Sequence, residues 1–446
     1  MSAALESAPA VARIPWWSRP LARGVVAVLI TVASTAIADA RLTPTDRHTL
    51  WAEDGRDFVS DALAHGLWGS IAIPLGGYLQ VLPRFLAWFA TAIAGPEHLA
   101  QTVTLLSCLC VGVVSALLWV YSHDRLASPV LRVLLALVPP LIPTAPREAL
   151  GTMNNLHWFL LLLAPWVFAF VPRTWWTSAA TAALALVTML SETQAALFIP
   201  LLLLGIRTPR KWPVVVAVVV GTVAEILTTL TSPRELIDYG PAHIDAADVA
   251  IGFLTVPFPA TWTGDLPDVA RIYSKVGIAV FAITAAVSIA VVVAAAVVGT
   301  RRRLWMIVAT VAGAIAVWSA AILISPAPGF DFVPATAEHI ASFGVWRYTM
   351  IVSGFLLAAL VVAADAFLAR PRVAMRLLGI SVAAAVVVPL VVNVAPLPSS
   401  RDLGPALGTE IPAATEQCAI DPTADVQVGQ APARWSTTLP CSYVTR

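Results

Sequence analysis

The sequence predicts an all-α polytopic membrane protein of about eleven transmembrane helices, with roughly ten to thirteen admissible. Three observations carry that prediction. The chain has 446 residues, of which 59% are hydrophobic and only 12% charged, whereas soluble domains carry about 25% charged residues. Its apolar residues gather in runs close to the roughly 20 residues that cross a bilayer. Its arginines cluster in alternate connections between those runs. Composition therefore excludes a soluble enzyme. The 27 basic and 26 acidic residues nearly cancel, so no charge excess points to nucleic acid as a partner. Lysine occurs only at Lys211 and Lys275, and arginine with abundant alanine and valine fits a high-GC bacterial genome.

Taken in order, residues 1–23 read as a cytoplasmic N-terminal segment with Arg13, Arg19 and Arg23. The first apolar run, Gly24–Ala40, is followed by many others, so it reads as a retained signal anchor rather than a cleaved leader. Long runs follow at Thr102–Tyr121, Leu156–Val171, Pro213–Thr231, Arg271–Gly299, Leu304–Ile324, Val345–Leu368 and Leu377–Val394. Shorter pieces at Pro129–Pro143, Thr177–Leu190 and Ala195–Ile206 complete the polytopic region, residues 24–394. Short segments interrupted by polar residues suit broken or re-entrant helices lining a cavity.

The basic connections test the count. They carry Arg125 and Arg132, Arg173, Arg207 with Arg210 and Lys211, Arg301–Arg303, and Arg370, Arg372 and Arg376. They fall on the side of the N-terminus only if Tyr78–Ala94 does not cross. We therefore read Tyr78–Ala94 as a juxtamembrane or half-inserted helix, with Arg84 snorkelling. The outward regions are then 41–77, 144–155, 232–270, 325–344 and an extracytoplasmic tail, 395–446, which the alternation at Ala424–Val428 lets form a small β-rich cap. Cys418 and Cys441 both lie in this tail, where oxidising conditions would let them pair. Cys108 and Cys110 sit inside a span as small packing residues.

The first outward loop holds Glu53, Asp54, Asp57 and Asp61 with Arg56 inside nine residues. Adjacent carboxylates repel, which raises one pKa unless a cation offsets the charge. Such a pair can take a proton from a hydroxyl or hold a divalent cation. Gly55 lets the chain turn sharply after the pair. The plainer reading is a solvated acidic loop. A second constellation, Asn154, Asn155, His157 and Trp158, opens a span from the outward side. Amides, imidazole and indole suit sugar hydroxyls and an apolar sugar face, although an asparagine there also suits a helix cap. Glu192 stands at a polar junction between two short apolar pieces. Glu225 is a costly intramembrane acid unless paired or wet, and Asp365 reads as an interface residue paired with Arg370. There is no His-Glu-x-x-His, phosphate-cradling glycine loop or Gly-x-Ser-x-Gly turn.

An acidic pair in a long first extracytoplasmic loop, directly after the first span, resembles the signature of the GT-C superfamily of integral-membrane glycosyltransferases. The likeness rests on Glu53-Asp54, on the segments around Phe58–Gly66 and Tyr78–Ala94, and on the span count. The chain has glutamate first where many members have aspartate. The resemblance implies a GT-C-like fold with juxtamembrane helices in that loop and inverting transfer of a sugar from a polyprenyl phosphate. Glu53 or Asp54 would be the base, and both would be the ligands if a divalent cation is used. Arginine matches phosphate through paired donors, so Arg347 with Tyr348, and Arg84, are the expected donor-phosphate contacts, with Arg147 and Arg234 on outward loops as further cations. Asp57, Asn154, Asn155, His157, Trp158 and Glu192 would bind substrate. The acceptor would be a cell-envelope glycan, lipid or protein at the outer face of a bacterial inner membrane, with membrane lipid as a further partner. Two other readings use the same features: a transporter or flippase of lipid-linked intermediates, and a non-catalytic membrane scaffold.

Overall fold

A computed structural model describes residues 20–233, 244–324 and 329–446. Arg13, Arg19 and Arg234 lie outside the described residues. Eight of the described helices are long and apolar enough to cross a membrane, from Leu21–Ala40 to Val373–Val392. The protein is a multi-pass, nearly all-helical membrane protein. Its centre is the Trp346–Leu368 helix, 89% buried along its apolar window, whereas Ala279–Val298 at the rim is only 17% buried. Close approach of helices uses small residues. A Cβ on Gly112 would lie 2.3 Å from Thr35 Oγ1 on the neighbouring Pro20–Ala40 helix.

The expected run Leu156–Val171 is a helix of 14 residues, Leu156–Ala169, wholly buried. At about 1.5 Å per residue it is too short to cross unaided. Trp175–Met189 is likewise short, and Thr193–Leu203 is a 3-10 helix of 11 residues. The last two turn back at 190–192, and Arg210 beyond the second donates to Arg173 O before the first, so they run as a hairpin. The expected run Arg271–Gly299 also divides. Leu266–Val276 is an amphipathic helix, and Gly277, at φ 66°, breaks it from Ala279–Val298. Lys275 and Arg271 keep that first piece out of an apolar span.

Val81–Ile93 has 13 residues, with Arg84, Leu86, Ala87 and Ala90 buried on one face and Phe85, Phe89 and Ile93 exposed on the other. It begins beside Glu192 and ends at Ala94, whose carbonyl accepts from Tyr443 of the tail at 2.9 Å. Its first residues thus adjoin Leu190 and Ser191, and its last adjoin the tail. Arg84 does not snorkel. It is 1% exposed, bonded to Asp61 at 2.7 Å and placed 5.3 Å above the Phe58 ring, because the first loop folds over it and supplies the carboxylate that a buried guanidinium needs.

The tail is a mixed cap. A helix, Leu407–Ile420, leads to an antiparallel hairpin, Asp425–Gln430 with Trp435–Pro440, and Cys418 is disulfide-bonded to Cys441. The cap backs onto the first loop. Ala52 N donates to Ala431 O at 2.6 Å and Ala431 N to Leu50 O at 3.1 Å. Two capping boxes interlock as well. Thr43–Asp46 and Ser399–Asp402 each cap their own turn, and Thr43 Oγ1 also donates to Asp402 at 2.6 Å while Ser399 Oγ donates to Asp46.

Gly55 has a different reason from the one its sequence position suggests. It lies in the π-helical turn Asp54–Val59, without a positive φ. A Cβ there would sit 1.9 Å from Gln430 Oε1 and 2.2 Å from Thr437 Oγ1. Gly55→Ala should push the hairpin off the loop, costing about 1–3 kcal/mol as overpacking does. A lowered unfolding temperature together with faster proteolysis at the 431–434 turn checks this, and an unchanged protein refutes it.

Candidate functional site

The cavity-bearing end is where the Leu156–Ala169 helix begins, the 175–203 hairpin turns, and the Trp346–Leu368 helix begins. Between them opens a polar cavity of about 460 Å³. Glu53, Asn154, His157, Trp158, Glu192, Arg347 and Tyr348 all line it, although they come from four separate stretches of chain.

The acidic pair divides its work. Asp54 is 1% exposed and faces away from the cavity. Its two oxygens accept from Met153 N at 2.9 Å and Asn154 N at 2.7 Å. Glu53 faces the cavity, half-buried, and accepts from Asn154 Nδ2 at 3.0 Å. Burial raises the Asp54 carboxyl to about 7, against the opposing pull of the two backbone N–H groups. Burial also raises Glu53 above the ordinary carboxylate range, with Arg347 among the groups that pull it back.

Arg347 stands on the opposite side. Glu148 takes both its backbone N–H, at 2.9 Å, and its guanidinium. The guanidinium lies 5.1 Å from the Tyr348 ring centroid. On the floor His157 Nδ1 meets Glu192 Oε2, while Glu192 Oε1 accepts from Gln194 N at 2.7 Å and so caps the 3-10 helix. Trp158 meets Tyr348 edge to face, 5.7 Å between centroids.

Several predicted site residues lie elsewhere. Asp57 is engaged by Arg56 at 2.7 Å outside the cavity. Asn155 is buried and donates to Thr152 Oγ1 at 3.0 Å, a bond internal to its own loop. Neither it nor Arg84 lines the cavity. Arg147 pairs with Asp265 at 2.7 Å. Asp365 pairs with Arg303 at 2.7 Å rather than with Arg370, because the start of the Arg301–Ile324 helix packs beside it.

Sequence reading missed Gln80, Glu148 and Thr229, and left Glu225 without its partner. Gln80 is 1% exposed, lines the cavity, and neither end of its amide has a partner among the described residues. Glu148 fixes Arg347. Glu225 accepts from Leu79 N at 3.1 Å, and Thr229 donates to Gly77 O at 2.8 Å. The last two hold the 75–80 turn, whose Gly76 and Gly77 have φ of 60° and 86°, conformations that glycine adopts without strain. A paired glycine before an intramembrane acid was the available signal.

Comparison with protein-family models, with curated proteins and with solved structures found no match. The site is therefore judged on its own donors. A divalent cation does not fit the acidic pair. Both Asp54 oxygens are taken by backbone N–H groups, and among the described residues no group of three His, Cys, Asp or Glu could hold a metal ion. What the cavity offers is a half-buried carboxylate, a guanidinium opposite it, and amides, an indole and an imidazole between them.

Asp54→Ala would strand two backbone donors, each costing about 1–3 kcal/mol when buried, so it should destabilise far more than Glu53→Gln. Thermal unfolding of the purified variants checks that order. Because the folded Asp54 holds its proton up to about 7, above the ordinary 3.8, the native state binds more protons across that window. Its share of stability is therefore fully present below about pH 4 and declines as pH rises toward 7. Asp54→Asn should remove that slope.

Proposed function

We propose that the chain is an inverting glycosyltransferase of GT-C type. It would move a sugar from a polyprenyl phosphate to an acceptor hydroxyl of a cell-envelope glycan, lipid or protein, at the outer face of a bacterial inner membrane. The observation that carries this reading is Glu53 and Arg347 lining one polar cavity at the membrane's edge. The N-terminal end would be cytoplasmic, since the basic connections collect at the end away from the cavity.

In this reading the base is Glu53, because Glu53 lines the cavity whereas Asp54 is 1% exposed and bonded to two backbone N–H groups. Glu53 takes the proton of the acceptor hydroxyl as its oxygen forms the new bond to the anomeric carbon. The bond from that carbon to the phosphate oxygen breaks, and its electron pair stays on the lipid phosphate. Arg347 faces that growing charge with a donor fixed in place before the reaction, the arrangement that favours the transition state over the ground state. Asn154 orients Glu53, and Glu148 orients Arg347. Trp158 and Tyr348 give a sugar ring apolar faces beside the polar groups.

A transfer assay on protein in lipid, with labelled polyprenyl-phosphate sugars and envelope extract, tests the proposal. Glu53→Gln should lower turnover by about 10²–10⁴ while leaving donor binding intact. Arg347→Ala should lower it by about 10²–10³. Full activity in Glu53→Gln would refute the assigned base. Tight donor binding without product from any sugar would refute transfer and favour a flippase. Because Glu53 titrates above the ordinary carboxylate value, wild-type turnover should fall in acid at a pH above about 4.5, with the proton-loaded base inactive.

A further inference from the structure

At the end of the bundle away from the cavity, two adjoining clefts of about 470 and 560 Å³ share Asp124, Arg125 and Arg302. Four connections far apart in sequence build their walls. The cations there divide by what they hold. Arg125 donates to Ala169 O, and Lys211 to Phe168 O and Phe170 O at 2.6 and 2.5 Å. Both cap the negative end of the Leu156–Ala169 helix. Arg173 pairs with Asp124 at 2.7 Å and Arg303 with Asp365 at 2.7 Å. Arg210 donates to Arg173 O at 2.7 Å.

Arg301 and Arg302 are different. Both are exposed, and neither has a carboxylate or a hydrogen-bond acceptor among the described residues. They occupy the first turn of a helix of 24 residues that has no acid in that turn. The opening N–H groups of a helix already carry partial positive charge, so cations there are unfavourable until an anion arrives.

Depth decides which anion. Trp175, Trp176, Trp212 and Trp305 are exposed and follow Arg173, Lys211 and Arg303 within three residues. Exposed tryptophans at one level mark a membrane–water interface. The clefts therefore open among lipid headgroups. Beside them Val293 and Val297 present an exposed apolar strip that ends at Thr300, a wall of the first cleft.

We propose that these clefts hold the phosphate of an anionic phospholipid, with Arg301 and Arg302 as its principal contacts and Arg125 behind them. The acyl chains lie along the Val293–Val297 strip. The site is independent of the chemistry proposed for the cavity at the other end.

Native mass spectrometry of the full chain, offered equal amounts of phosphatidylglycerol and phosphatidylcholine, tests it. Wild type should retain phosphatidylglycerol preferentially. Each arginine at a headgroup contributes about fivefold, so the double variant Arg301→Gln with Arg302→Gln should lose about 25-fold in phosphatidylglycerol binding. Phosphatidylcholine binding should not change. Arg302→Lys keeps the charge and should keep most of the binding, which separates loss of the site from loss of folding. Arg370→Gln with Arg372→Gln removes the same charge from exposed positions at the same end, outside both clefts, and should leave the preference intact. An equal loss in that pair would mean that only the general field of the basic end acts, and would overturn the proposal. So would a wild type without preference, or inorganic phosphate competing as well as the lipid does, which would assign the clefts to a free anion.

Discussion

One buried carboxylate governs the geometry of the cavity. Asp54 has left water entirely, and the desolvation of a carboxylate is offset only by good hydrogen bonds. It finds them in the N–H groups of Met153 and Asn154, two residues about a hundred positions away. That tie fixes the first loop against the start of the Leu156–Ala169 helix. Glu53, Asn154, His157 and Trp158 then face the same space as a consequence. The tail reinforces the arrangement from behind. Gln430 donates to Ala52 O at 2.6 Å, and Arg401 reaches Leu150 O at 2.8 Å, so one cap grips both partners of the Asp54 tie.

The cavity also depends on helices that stop short. A bilayer leaves no water for exposed backbone, so irregular backbone at membrane depth must be covered by protein or face a polar cavity. Leu156–Ala169 is wholly buried, and the hairpin of short helices turns at Glu192, whose carboxylate caps the second of them. Glu225 does the same for the 75–80 turn through Leu79 N. Intramembrane acids that look costly in isolation are thus the partners of backbone groups freed where helices break.

This explains what was legible in the sequence and what was not. Hydrophobic runs and arginine spacing follow from bilayer physics alone. They located the long helices. Residue type also flagged Glu53, Asn154, His157, Trp158, Glu192, Arg347 and Tyr348, which share one cavity. The division of Glu53 from Asp54 was not legible, because adjacent acids differ only in which way the chain turns them. Arg84 and Arg347 are likewise indistinguishable by type. One meets Asp61 under a folded loop, the other meets Glu148 at a cavity wall. Gly55 looked like a turn and is a point of close approach, set by a hairpin 375 residues further on. The break at Gly277 was missed by joining the amphipathic piece, which carries Arg271 and Lys275, to the apolar run that follows it.

The way Arg347 is held bears on how a phosphate-bearing ligand would come and go. Glu148 is nearly buried and takes both the backbone N–H and the guanidinium of Arg347. The arginine is therefore aimed before any ligand arrives, and its charge is partly spent. Glu53 and Glu192 add negative charge to the same cavity. A dianionic product would meet one shared cation and the Glu192 carboxylate, with Glu53 by then holding the acceptor's proton, whereas a glycosylated phosphate diester carries less charge into the site. In a transferase that imbalance would favour departure of the lipid phosphate once the sugar has gone, so the same Glu148 that positions Arg347 would also limit how tightly such a product is kept.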